Sequence, residues 1–394
     1  MSPTRRTSRR VVLAVMSGHF AASFAALGMP PFFVLILQQS LHSEALHLAG
    51  WFYVAPPAFA ALSSPWWGRL ADRYGKRNLL IRAHLGLAAS FLLAGFATHT
   101  WTFFAALILQ GLLGGTFAAS NAYLATIASG PALVRGLTAM QWSARAALVV
   151  APVALGIALD QCDSSPIEVY RYLSVLPLAA AVLAACLPRS SPAVAMPFPS
   201  HQKTLVVEAS ACQIYAMQFL FVAATVVTFP YFSSYVLQEF EGLSTAMAGL
   251  LFGLPHAAYL VLAMPMTNRL TRFRKTRLLA AAFAALAASL IAQAMSTSVS
   301  MLSAWRIVMG LAMTAALISL HSLVAAVVHD GNAGKAFGWF ESSAKWGAVA
   351  AGLAAGLVVE AFTIRAPLLL GAALAAVAAI YLMHPLHARR ATGT

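Results

Sequence analysis

Gly68 to Leu80 reads G-R-L-A-D-R-Y-G-K-R-N-L-L. Four cations, Arg69, Arg73, Lys76 and Arg77, surround the single carboxylate Asp72, and the stretch separates two apolar runs that are each long enough to cross a bilayer. So many cations in one short loop put it on the cytoplasmic side by the positive-inside rule. Gly68 and Gly75 permit neighbouring helices to approach closely there.

Composition points the same way. The chain is 60% hydrophobic and only 9% charged, whereas an ordinary soluble domain has about a quarter of its residues charged. A formal charge of +14 would suggest a nucleic-acid partner if it formed a patch on a soluble fold. Here the cations sit in short loops between apolar runs, so topology accounts for them and no nucleic acid is expected. Cys162, Cys186 and Cys212 have neither metal-ligand spacing nor a disulfide framework and read as packing residues. Arg5, Arg6, Arg9 and Arg10 precede an apolar run that is too long for a signal peptide and lacks a clear cleavage site, which makes it a first span entered from the cytoplasm.

Spans of about 20 residues are expected near 11–38, 46–67, 78–98, 101–126, 135–159 and 168–187, then near 205–238, 245–267, 276–296, 299–328, 335–361 and 364–386. The proline- and serine-rich stretch 188–204 reads as a cytoplasmic linker between a bundle at 1–187 and a second at 205–394. This map places Arg135, Arg189, Lys203, the group Arg269 to Arg277, Lys335, Arg389 and Arg390 inside, and leaves only Arg171 and Arg365 outside. Both termini are then cytoplasmic, in a multi-pass membrane protein.

The basic stretch resembles the loop between the second and third helices of the major facilitator superfamily, G-x-L-A-D-R-x-G-R-K, with Lys76 and Arg77 in swapped order. The resemblance implies an all-α membrane fold of twelve transmembrane helices in two pseudo-symmetric six-helix bundles. It also implies a secondary transporter working by alternating access, with its substrate site near the bilayer midplane where the halves face each other. In that family the loop is a cytoplasmic latch, in which Gly68 would admit the eleventh helix and Asp72 would meet that helix's N-terminal dipole. Carried over, Gly68, Asp72, Arg73, Gly75, Lys76 and Arg77 serve gating. The matching loop of the second half keeps Arg272, Phe273 and Lys275 opposite Arg73, Tyr74 and Lys76 but has Thr271 opposite Asp72, so the latch is asymmetric.

The halves are copies at offsets of 199 and 200: Pro56 and Gly111 meet Pro255 and Gly310, while Ser143, Arg145 and Gly156 meet Ser343, Lys345 and Gly356. Counted from the start of each helix, Arg145 and Lys345 lie about 15 Å deep. A charge at that depth must face the bundle interior or a watery cavity, and two cations facing one cavity invite an anion. Lys345 has Glu341 one turn earlier, so it is either neutralised within its helix or available to a ligand. Arg145 has Gln141 at the corresponding place, and its guanidinium suits paired hydrogen bonds to a carboxylate or hydroxamate. Trp142 and Trp346 would suit an amphiphilic ligand.

Glu341, expected well inside a span, is the first candidate for proton coupling or else a structural partner of Lys345; His19, His256 and His321 follow, each a proton carrier or a packing residue. The family's R-x-x-Q-G signature in helix 4 keeps Gln110 and Gly111 but has Leu107 for arginine. The cation stands in the repeat as Arg306, which either takes the family arginine's cavity role or caps backbone. Ala147, Ala151, Pro152 and Gly156 partly match the antiporter pattern G-x-x-x-G-P-x-x-G-G. Ser64 to Leu80, Arg82, Gly86, Trp101 and Gly111 to Ala125 are similar to the drug-efflux branch, which also includes siderophore exporters. The expectation is a monomeric, proton-coupled exporter (antiporter) of a small amphiphilic anion such as a siderophore or drug-like metabolite. The alternative is a symporter importing a ferri-siderophore or organic carboxylate. No metal, cofactor or enzymatic constellation is expected.

Overall fold

A computed structural model of the chain describes residues 3–127, 130–161, 165–189, 208–270, 273–327 and 333–384. Cys162, Thr271, Arg272 and most of the expected linker lie outside them, as do the side chains of Asp72, Arg135, Lys335 and Glu341. The described residues are helical or irregular and contain no strand. The first set of spans comprises α1 (Pro3–Gly28, carried on by short turns to Ser40), α2 (Leu48–Tyr74), α3 (Lys76–Gly95), α4 (Thr100–Leu113 and Thr116–Ile127), α5 (Gly130–Gln161) and α6 (Val169–Leu173 and Val175–Ala185). The second comprises α7 (Ala211–Val226 and Phe232–Glu239), α8 (Thr245–Leu270), α9 (Lys275–Ala294), α10 (Val299–Val327), α11 (Ala333–Ala361) and α12 (Ala366–Met383). Among the described residues, ten segments are long and apolar enough to cross a membrane, and Ala211–Val226 is a shorter apolar helix.

The basic stretch differs from the loop expected of it. α2 stays helical through Tyr74, so Gly68, Arg69 and Arg73 ride on its last turns and the reversal is concentrated at Gly75. That glycine has φ +90°, a conformation that costs a side-chain-bearing residue strain, and its N–H closes the preceding turn on the Ala71 carbonyl at 3.0 Å.

Contacts divide the chain into two compact units, Met1–Glu44 with Ala55–Pro199, and Ala45–Val54 with Ser200–Thr394. In the first, Val15, Leu80, Ala83, Ala119 and Tyr123 form part of the core that joins α1, α3 and α4. Close approach is provided by Gly28, Gly86 and Gly111 rather than by Gly68, which has no neighbour within 4 Å of a β-carbon position. In the second, Gly371 of α12 packs on the Ala224 carbonyl of α7. There too, the Gly50 N–H donates to the Tyr231 hydroxyl at 3.0 Å, which itself donates to the Leu46 carbonyl at 2.9 Å.

Two contacts recur at equivalent positions, one in each unit. A β-carbon on Gly111 would stand 2.5 Å from the Pro56 carbonyl oxygen, and one on Gly310 would stand 2.8 Å from that of Pro255. The Ser143 hydroxyl donates to the Met16 carbonyl at 3.3 Å, and the Ser343 hydroxyl donates to the Tyr215 carbonyl at 2.6 Å. The sequence repeat therefore preserves helix-to-helix contacts that admit no bulk.

Valine at either glycine would drive carbon into facing backbone, an overpacking that costs about 1–3 kcal/mol. Gly111→Val and Gly310→Val are each expected to lower the thermal unfolding midpoint in detergent. Gly68→Ala should leave it within error, and an equal fall at Gly68 would refute the assignment of the close contacts.

Candidate functional site

An α-helix turns about 100° per residue. Ser143 faces α1 through its bond to Met16, so Arg145, two residues on, lies about 200° round α5 and points away from α1. Ser343 orients α11 against α7 in the same way, which turns Lys345 from α7. Arg145 stands at the middle of Gly130–Gln161, and Lys345 stands just before the middle of Ala333–Ala361. Arg145 is half-buried and engaged by protein, whereas Lys345 is exposed. Each unit thus carries one cation halfway along a spanning helix, on the face turned from that helix's principal contact. Such a group cannot face hydrocarbon without a cost of about 2.5–3.5 kcal/mol on the insertion scale.

Their neighbours are amphipathic. Gln141 is exposed and shares the Arg145 face one turn earlier, and Trp142 is half-buried beside it. Trp346 is 56% exposed. About two turns before it, Trp339 packs on the Tyr215 ring with centroids 4.3 Å apart.

Arg306 corrects an expectation. It is 3% exposed, and its guanidinium donates to the Leu251 carbonyl at 2.8 Å and the Phe252 carbonyl at 2.6 Å. The guanidinium carbon also lies 4.0 Å from the Phe232 ring centroid. In a helix the Leu251 carbonyl would accept from residue 255, but Pro255 has no N–H. Arg306 supplies the missing donor and is therefore a structural cap, not a cavity-lining cation. In the first unit the matched position is the buried Leu107.

The remaining histidines and the basic stretch are placed as follows. His19 is buried, with Nε2 3.3 Å from the Ser23 hydroxyl and its ring 5.2 Å from that of Phe117. His256 is buried among aromatic rings, 5.9 Å from Phe229 and 6.1 Å from Phe252, and His321 is exposed and engaged. Arg73 is exposed, 5.5 Å from the Tyr74 ring, and Lys76 is engaged. Arg77 donates to the Ala184 and Ala185 carbonyls and so caps the C-terminus of α6. Those bonds hold the Arg77 side chain within its own unit.

Two features escaped the residue-level reading. His84 of α3 is 1% exposed and sits near α1, its Nε2 3.6 Å from a β-carbon position on Gly18. Arg82 and Trp67 together hold the break in α4. The indole N–H donates to the Leu112 carbonyl at 2.6 Å, and the guanidinium donates to Leu113 at 2.7 Å and Gly114 at 3.2 Å. That guanidinium lies 3.4 Å over the Trp67 ring. The available signal was a lone arginine inside an apolar run together with the pair Gly114–Gly115, a cation and a set of orphaned carbonyls.

The sequence model of the Major Facilitator Superfamily matches residues 15–212 and 214–393. The chain is 25% identical over 391 residues to the multidrug resistance protein MdtG of Escherichia coli O9:H4 (strain HS), covering 97% of this chain and 95% of that protein. To MdtG of Citrobacter koseri it is 31% identical over 161 residues, a match covering 40% of each chain. Among solved structures it resembles a mutant form of the nucleoside transporter NupG, with a TM-score of 0.77 at 15% identity over 95% of this chain and 99% of that one.

If Arg306 serves the carbonyl freed by Pro255, then Arg306→Leu should cost about 1–3 kcal/mol by leaving that carbonyl unpaired. Pro255→Ala restores a backbone N–H to it, so the same arginine substitution should cost measurably less in the Pro255→Ala background. A double-mutant cycle of unfolding free energies checks this, and strictly additive losses would contradict it.

Proposed function

Since the chain belongs to the major facilitator superfamily, we propose that this multi-pass membrane transporter is a proton-coupled exporter of small amphiphilic compounds bearing an anionic group. A siderophore or a drug-like metabolite is the favoured cargo. The observation that carries the reading is the repeated placement of one cation at the middle of α5 and one at the middle of α11, Arg145 and Lys345. A charge at that depth must face the bundle interior or a watery cavity, where an anionic ligand can reach it. Gln141, Trp142 and Trp346 add polar and aromatic surface for an amphiphile. The multidrug resistance proteins to which the chain is similar support the outward direction.

Proton coupling is assigned first to Glu341, four residues before Lys345 in α11, because a carboxylate beside a cation exchanges its proton for a ligand when burial and charge pull it in opposite directions. His19 ranks next as a buried titratable group; His321 and His256 follow. Asp72, with Gly68, Arg73, Gly75, Lys76 and Arg77, is assigned to the conformational cycle rather than to substrate.

Flux measured in proteoliposomes under an imposed pH gradient tests the reading. Protons and an anionic amphiphile should move in opposite directions, and Arg145→Met or Lys345→Met should reduce that flux roughly tenfold or more, as expected for loss of a charge-assisted hydrogen bond. Parallel movement would establish a symporter instead, and unchanged flux in both variants would refute the anion-binding assignment. Asp72→Asn should abolish flux while leaving binding of the same compound measurable; loss of both together would count against its gating role.

A further inference from the structure

A cavity of about 490 Å³ opens in the second unit among α7, α9, α10 and α12, at the end that carries the basic residues before α9. Glu208, Arg274, Arg277, Gln213 and Tyr381 line its polar part, and Ile214, Met217, Leu279, Leu323 and Leu382 line the rest. None of these residues belongs to the site proposed above. The cavity is amphipathic along one direction: charge at the start of α9, then methyl and methylene groups.

We infer that this cavity binds an anionic phospholipid, its phosphate held by Arg274 and Arg277 and its chains lying along α7, α9 and α12. Four charged groups stand near the mouth, and two are already committed. The Glu208 carboxylate accepts from the Thr276 N–H and hydroxyl, each at 3.0 Å, and so caps α9. Burial would raise this carboxyl, but those bonds, another from the Lys275 N–H and the nearby Arg274 charge together hold it below the usual carboxylate range. The Lys275 ammonium donates to the Leu270 and Phe273 carbonyls at 2.9 and 3.1 Å.

Arg274 and Arg277 are left at the rim. Both are exposed, and among the described residues neither side chain donates a hydrogen bond, although the Arg274 charge acts on the Glu208 carboxylate. Arg274 is the extended residue that precedes α9 and Arg277 lies in its first turn, so both stand at one edge of the cavity, and two guanidinium forks there match the oxygens of a phosphodiester. Tyr381, 3.4 Å from Gln213 Nε2 through its hydroxyl, offers the amphipathic ring that suits the boundary between headgroup and chain. The positive-inside bias puts this rim at the cytoplasmic leaflet, where anionic lipids attract basic side chains.

The test uses the purified full chain, delipidated in detergent, with lipid adducts counted by native mass spectrometry. Dioleoylphosphatidylglycerol should bind in preference to dioleoylphosphatidylcholine. Arg274→Ala/Arg277→Ala should weaken the anionic lipid roughly thirtyfold. Ala281→Trp, which fills the cavity from an exposed position without altering charge, should weaken both lipids. Glycerol 3-phosphate, which carries the headgroup chemistry without chains, should not compete. Undiminished phosphatidylglycerol binding in both variants would overturn the inference. So would an equal loss in the matched control Arg10→Ala/Arg69→Ala, or competition by glycerol 3-phosphate, which would make this a free-phosphate site.

Discussion

Backbone carbonyls without partners are the constraint on which this structure turns. A spanning helix in hydrocarbon has no water to complete its hydrogen bonds, yet several of these helices are interrupted by proline or by paired glycines. Side-chain donors from neighbouring helices stand opposite such openings. Arg306 serves the carbonyl that Pro255 leaves open, Arg82 and Trp67 serve the end of the first half of α4, and Arg77 serves the end of α6. Intramembrane arginine in this chain is therefore often a backbone cap, which narrows the set of charges left to meet a ligand.

Arg145 and Lys345 differ from these caps in where they stand, each midway along a helix that continues through it without interruption. Their direction is set by small polar residues two positions earlier: Ser143 and Ser343 lock α5 and α11 onto the carbonyls of α1 and α7. A hydroxyl bonding across a helix pair fixes rotation more sharply than apolar packing does, because sliding or turning the helix leaves a buried acceptor unpaired.

The internal repeat follows the same physics. Gly111 on Pro56 and Gly310 on Pro255 are close contacts of backbone on backbone, and neither position tolerates a β-carbon without displacement of its neighbour. Between these shared contacts the two units diverge. The second unit keeps an arginine at 306 where the first has Leu107, and the first has Arg82 and Trp67 at a helix break that the continuous α10 lacks.

Much of this was legible in the residues themselves. Span number, a basic reversal between the second and third spans and the pairing of 143–145 with 343–345 follow from hydropathy, charge bias and a fixed offset, because those signals act locally and survive without packing. Helix rotation and hydrogen-bond partners do not. A sequence shows that Arg306, Arg77 and Arg82 are charged, but a guanidinium reaches several ångströms along its own stem, so only tertiary structure decides whether it ends on a carbonyl across the bundle or at an open face. It likewise took the packed helices to bring Glu208, Arg274 and Tyr381, far apart in the chain, to the lining of one cavity.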